Sequence, residues 1–183
     1  LRPARYDRQQ EMGMIDDRFV MTPPGAEVRN WTEITDDERA HEDLRMAAYA
    51  GMVDRLDQNV GRLMEHLADQ QLLENTVILF LSDNGGDYGG GSIQTWTEQV
   101  PWLPGSHMTG SNGWASLKNT PFRFYKNALN QGGVAAPLIV RWPDGIRVPA
   151  GTILHQRVHV TDLYPTLLDV AGVDLPELQK GKE

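Results

Sequence analysis

The sequence predicts a layered α/β fold, and three features of the chain indicate that class. A long amphipathic stretch with helical periodicity ends near residue 71 and is followed, after a short turn, by a continuous apolar run at residues 76–81. A helix followed closely by a strand buried on both faces is half of the unit from which layered α/β proteins are built. A second apolar run, at residues 137–142, predicts another strand.

The composition excludes several classes of protein. The net charge of -8 argues against a nucleic-acid partner, because such a surface needs basic residues to displace counterions. The absence of cysteine excludes disulfides, thiolate metal sites and an unmodified cysteine nucleophile within these residues. No stretch approaches the roughly 18 apolar residues of a membrane span, so we expect no membrane partner. The compartment stays open, since both the bacterial periplasm and cytoplasm suit this composition.

Residues 1–36 are polar and irregular, and we treat them as a variable segment with a short helix at about residues 5–12. The main body is expected at residues 37–175, and residues 176–183 form a tail. The chain begins with Leu1 and a polar stretch, which is neither a start residue nor a signal peptide. We therefore expect a chain that begins within a longer gene product or that was processed.

The long helix has a clear start signal. Thr35 followed three residues later by Glu38 fits a capping box, in which each side chain binds a main-chain amide of the other residue. An apolar stripe then recurs at spacings of three and four residues. Its members are Tyr49, Met52, Leu56, Val60, Leu63 and Leu67. We expect a packing helix with no chemical role.

The first strand is followed by about 35 residues with many glycines and little periodicity, which predicts a long loop. Aromatic and other large side chains in it could contact something apolar or fix the loop to the body. They are Trp96, Trp102, His107, Met108 and Trp114. A last helix is predicted at residues 163–170 and ends at Ala171-Gly172. His159, just before it, is expected to be structural.

Two places carry candidate chemistry. Asp83 and Asn84 follow the carboxyl end of the first strand, where open α/β sheets bind ligands, and both offer the hard oxygen atoms that calcium or magnesium prefers. The alternative is a simple Asp-Asn-Gly turn, and two ligands are too few for a calcium shell. Lys126 lies six residues before Gly132-Gly133 and could hold an anion, although an isolated lysine is usually only solvated.

Three segments in this order resemble the arylsulfatases, which are type I sulfatases. They are residues 76–86 with Asp83-Asn84-Gly85-Gly86, residues 113–126 ending in Tyr125-Lys126, and residues 132–145. The helix at residues 49–73 and the segment at 159–172 fit the same family, and residues 1–36 fit it more weakly. The resemblance implies the C-terminal portion of a sulfatase catalytic domain, with an alkaline-phosphatase-like layered sheet that carries helices on both faces.

The resemblance also implies metal-assisted hydrolysis of a small-molecule or glycan sulfate ester. Asp83 and Asn84 match the family's ligands for calcium or, in some members, magnesium, and Lys126 matches the catalytic lysine that contacts the sulfate. The family's nucleophile is a formylglycine made from Cys or Ser in a Cys/Ser-x-Pro-x-Arg motif. Residues 1–5 match only the tail of that motif, which we regard as coincidence. We expect the N-terminal half of the same protein to supply the nucleophile, and this chain alone to be inactive.

The sequence also allows two functions other than sulfuric ester hydrolysis. One is a phosphonate or phosphate monoester hydrolase of the same superfamily, which shares the strand-end motif. The other is a truncated module without catalytic activity. The pair before Gly132 is usually His-Glu in similar sulfatases, whereas this chain has Asn130-Gln131, which removes one charge near Lys126.

Overall fold

The computed structural model describes residues 1–88 and 110–175. The chain divides into two compact units, Leu1–Val148 and Pro149–Glu183. Besides two short 3₁₀ helices at Trp31–Glu33 and Leu73–Asn75, the described part of the first unit contains four α-helices and two strands. They are α1 (Arg2–Glu11), α2 (Asp36–Asp69), β1 (Ile78–Leu81), α3 (Asn112–Lys118), α4 (Gln131–Val134) and β2 (Leu138–Arg141).

Helix α1 begins earlier than the sequence predicts, because proline is readily accommodated in a first helical turn. The guanidinium group of Arg2 donates to the carbonyl oxygens of Thr22, Ser116, Pro121 and Phe122. Partial burial lowers the pKa of Arg2. These bonds fasten the start of the chain to the segment that precedes Lys126.

The capping box of α2 is confirmed. The main-chain nitrogen of Glu38 donates to Thr35 Oγ1 at 3.2 Å, and that of Thr35 donates to Glu38 Oε2 at 2.7 Å. Hydrogen bonds from Arg29 and from the Thr35 amide lower the pKa of Glu38 to about 2. The predicted apolar stripe forms on α2, but most of its side chains are exposed in the part of the chain that the structure describes.

A buried polar cluster joins the start of α2 to α3. The carboxylate of Glu42 pairs with Arg45 at 3.2 Å and accepts from the hydroxyl of Ser111, while the Glu42 carbonyl accepts from Trp114 Nε1 at 2.9 Å. Buried charges are retained in proteins when they are paired and hydrogen-bonded in this way. Trp114 therefore fixes its segment to the body of the chain, which is one of the two roles that the sequence suggested for the loop aromatics.

The prediction of a long loop is wrong at its end, where residues 112–118 form α3. The side chain of Ser111 accepts from the main-chain nitrogen of Trp114 and caps this helix. The other large side chains of the predicted loop, Trp96, Trp102, His107 and Met108, lie outside the described residues.

The two strands pair antiparallel, from Ile78 opposite Arg141 to Leu81 opposite Leu138. The prediction that the first strand is buried on both faces is wrong for this chain: Phe80 is 42% exposed, and Ile139 on the paired strand is 61% exposed. Among the described residues the sheet has only these two strands, so their apolar side chains have too little neighbouring structure to cover them.

The described part of the second unit contains the predicted last helix, α5 (Leu163–Val170), preceded by a 3₁₀ turn at Val160–Asp162. His159 caps that turn, because its ring nitrogen Nδ1 accepts from the Thr161 amide. Its structural role is therefore confirmed. Gly172 ends the segment with a φ of 66°, a conformation that glycine adopts without strain. None of the described helices is long and apolar enough to span a bilayer.

Candidate functional site

The strand-end loop, residues 82–88, meets the segment around the second glycine pair through backbone contacts. The main-chain nitrogen of Gly85 donates to the carbonyl oxygen of Gly133 at 2.9 Å. A Cβ atom at Gly85 would collide with the carbonyl oxygen of Gly132. The absence of a side chain at Gly85 therefore lets the backbone at residues 132–133 come close. A glycine in such a turn can also let the backbone approach a ligand, but here it serves contact between two chain segments.

The second glycine pair is just as crowded. A Cβ at Gly132 would strike the carbonyl oxygens of Arg123 and Phe124, and a Cβ at Gly133 would strike that of Ala128. Three stretches of backbone thus meet where side chains cannot fit. We call this meeting of residues 85–86, 123–128 and 132–133 the glycine crossing.

Asp83 and Asn84 lie just before the glycine crossing. Asp83 is exposed, so its carboxylate is accessible to a cation. Asn84 donates through Nδ2 to the Gly85 carbonyl at 2.8 Å, which leaves its carbonyl oxygen Oδ1 available to accept from another group. Ser82 closes the turn by donating to the Asn84 carbonyl at 2.9 Å. The donor types fit a calcium or magnesium ion.

These two residues would form only part of a metal shell. Within residues 1–88 and 110–175, no group of three or more His, Cys, Asp or Glu side chains is arranged to hold a metal ion. A calcium ion takes about six to eight oxygen ligands, so the remaining ligands would come from other segments or from water.

Lys126 is attached to the same crossing through its main chain. Its main-chain nitrogen donates to the Gly86 carbonyl at 3.2 Å. Its side chain is 40% exposed, and its Nζ lies 3.3 Å from the carboxylate of Asp87. The structure therefore brings Lys126 to the loop that carries Asp83 and Asn84, although the three residues come from two distant parts of the sequence.

The residue before Lys126 is firmly anchored. The hydroxyl of Tyr125 donates to Glu27 at 2.9 Å, and its ring lies 4.8 Å from that of Tyr88. Burial and the Glu27 contact raise the pKa of Tyr125 well above its usual range. The backbone at Lys126 is thus held from both sides, by Tyr125 and by Gly86.

Three polar residues to which no role was assigned from the sequence surround this site. Lys118 donates to the Asp87 carbonyl at 2.8 Å and lies 4.6 Å from the ring centre of Tyr49. Burial lowers the pKa of Lys118, while the charge of Asp87 opposes that shift. Asp87 pairs with Lys126, and Asn119 binds Gly86. No periodic pattern marks any of the three, because each acts through a contact between remote segments.

Comparison with known proteins shows the family of this chain. The chain matches the family model described as Sulfatase over residues 6–173. It is 31% identical to an uncharacterized sulfatase of Schizosaccharomyces pombe, over 96% of this chain and 34% of that protein. It is 29% identical to an arylsulfatase of Klebsiella aerogenes, over 93% of this chain and 38% of that protein.

A third relative, an N-acetylgalactosamine-6-sulfatase of Canis lupus familiaris, is 32% identical over 70% of this chain and 20% of that protein. The chain belongs to the sulfatase family, and the resemblance inferred from its motifs is confirmed. It spans about a fifth to two fifths of the length of these relatives.

Proposed function

We propose that this chain forms the C-terminal part of the catalytic domain of a sulfuric ester hydrolase of the arylsulfatase type. The observation that supports this most is the glycine crossing, which holds Lys126 against the strand-end loop of Asp83 and Asn84 in a chain that matches the family over residues 6–173. The substrate class is a small-molecule or glycan sulfate ester, in line with the names of the arylsulfatase and N-acetylgalactosamine-6-sulfatase relatives.

The carboxylate of Asp83 and the amide oxygen of Asn84 would hold a calcium ion, or a magnesium ion in its place. When bound, the cation supplies positive charge that stabilises negative charge building up in the transition state. The ammonium group of Lys126 would bind peripheral sulfate oxygens as a compact point charge with three donors, which requires that it stay protonated.

The partner of this chain would be the N-terminal half of the same protein, which supplies the formylglycine nucleophile and the remaining ligands. The two halves together would complete an alkaline-phosphatase-like layered sheet with helices on both faces. The exposed apolar side chains of Phe80 and Ile139 support this, because they require a cover that the described residues do not provide. We expect the chain alone to be inactive. The complete protein is this chain together with that N-terminal half.

The substrate class is tested by assaying the complete protein with matched aryl sulfate and aryl phosphate esters in the presence of calcium. We expect kcat/KM to be higher for the sulfate ester. A clear preference for phosphate would assign the protein to the phosphate or phosphonate monoester hydrolases instead. No turnover of either ester would favour a module without catalytic activity.

Because Lys126 pairs with Asp87, we expect a sulfate ester to compete with the Asp87 carboxylate for the Lys126 ammonium group. Asp87→Asn in the complete protein is expected to lower KM for an aryl sulfate by up to about fivefold, because an exposed pair is worth at most about 1 kcal/mol. Inhibition by free sulfate should strengthen in parallel. Glu74→Gln, which removes the exposed partner of Arg141, is the matched control and should leave both values unchanged. An unaltered KM in Asp87→Asn would show that the pair does not compete with substrate.

A further inference from the structure

The side chain of Asn119 binds both main-chain groups of Gly86. Its Oδ1 accepts from the Gly86 nitrogen at 2.9 Å, and its Nδ2 donates to the Gly86 carbonyl at 3.3 Å. Nδ2 also donates to the Ala115 carbonyl at 2.8 Å. Asn119 is only 8% exposed, so its amide group is largely shielded from water, and leaving it without partners would be costly.

Gly86 is the point at which the two parts of the site meet. It follows Asp83 by three residues, and its carbonyl accepts from the main-chain nitrogen of Lys126 at 3.2 Å as well as from Asn119. The carbonyl has two lone pairs and can serve both donors. A movement of Gly86 would therefore change the distance between Lys126 and the turn that carries Asp83 and Asn84.

The other end of this connection is fixed to the body of the protein. Asn119 directly follows α3, and α3 is held to α2 through the contacts of Ser111 and Trp114 with Glu42. A continuous series of buried hydrogen bonds thus runs from α2 to Asn119, and two partly buried ones join Asn119 to Gly86. A side chain that is held by packing and hydrogen bonds can fix the position of a loop more precisely than the loop's own backbone does.

We propose that Asn119 is a positioning residue, which fixes Gly86 and thereby sets the separation between the cation held by Asp83 and Asn84 and the ammonium group of Lys126. This inference rests on the proposed function. Only an amide satisfies the site, because one atom must accept from a main-chain nitrogen while the other donates to two carbonyl oxygens. An aspartate there would direct a carboxylate at both carbonyl groups and could donate to neither.

The test compares Asn119→Asp with Thr120→Val in the complete protein. Thr120 is equally buried at the end of α3, but its hydroxyl donates to the Leu117 carbonyl. We expect both variants to lower Tm, while Asn119→Asp alone lowers kcat for an aryl sulfate by about 10- to 100-fold, as misplacement by about 1 Å can do. Equal loss of kcat at equal loss of Tm in both variants, or a normal kcat in Asn119→Asp, would overturn the positioning role.

A second readout does not depend on turnover. Amide hydrogen exchange at Gly86 and Lys126 should accelerate in Asn119→Asp and remain unchanged in Thr120→Val. If Asn119→Asp does not fold, Asn119→Ala is judged by the same criteria, since water can occupy the space that it opens. Unchanged exchange at both amides would contradict the proposal. An unmodified protein that does not hydrolyse aryl sulfate would instead contradict the proposed function, and the exchange rates would still decide the role of Asn119.

Discussion

Lys126→Ala in the complete protein is expected to lower kcat for an aryl sulfate by about 10²- to 10³-fold, the usual effect of removing one donor that stabilises transition-state charge. Its effect on folding should be small. The side chain is 40% exposed, and its ion pair with Asp87 is worth at most about 1 kcal/mol in such a setting. Steady-state kinetics and thermal unfolding of the same preparation measure the two effects separately.

The neighbouring lysine provides the matched control. Lys118 donates to the Asp87 carbonyl and lies against the Tyr49 ring, so Lys118→Ala should lower Tm more and kcat less than Lys126→Ala. Lys126→Arg keeps the positive charge but changes its shape, and its kcat should fall between those of the unmodified protein and Lys126→Ala. Normal turnover in Lys126→Ala, or parallel loss of turnover and stability, would exclude a direct contact with the sulfate.

Asp83→Ala in the complete protein is expected to abolish measurable calcium binding and to reduce turnover to background. A carboxylate supplies both charge and a hard oxygen ligand, and a neutral methyl group replaces neither. Because Asp83 is exposed, Tm measured without calcium should barely change. The rise in Tm on adding calcium, which reflects ligand binding to the folded state, should disappear. Calorimetric titration of metal-free protein measures the affinity directly.

Asp144 is the matched control for Asp83, because it is also an exposed aspartate in a turn that follows a strand. Asp144→Ala should leave calcium affinity and turnover unchanged. If Asp83→Ala bound calcium as tightly as the unmodified protein, the Asp-Asn-Gly segment would be a turn and nothing more.

The elements with strong local signals were predicted well from the sequence. The capping box of Thr35 and Glu38, both strands and the last helix lie within a few residues of their predicted places, because side-chain periodicity and capping act over short distances. The burial of the first strand was predicted wrongly. An apolar strand indicates that a cover is needed, but the cover itself depends on structure outside these residues.

The candidate site also combines features that the local sequence indicates with features that depend on contacts between remote segments. Asp83, Asn84 and Lys126 were proposed as site residues through the motifs that resemble the arylsulfatases, and the structure brings the segments that carry them together. That Lys126 joins the strand-end loop through its main chain at Gly86 as well as through its side chain at Asp87 could not be predicted, since these contacts link residues 40 and 39 positions apart. Asn119 carried no signal of its own, because a buried asparagine is distinguished only by the partners that surround it.

The glycine crossing also has a genetic consequence. Every missense change in a glycine codon specifies a residue with a Cβ atom, and at Gly85, Gly132 and Gly133 that atom has no space. We therefore expect a saturation mutagenesis scan to show low tolerance at these three positions, because any side chain there displaces the backbone that carries the proposed site. Inherited loss of function in such a protein would arise as readily from a displaced backbone as from a missing catalytic group.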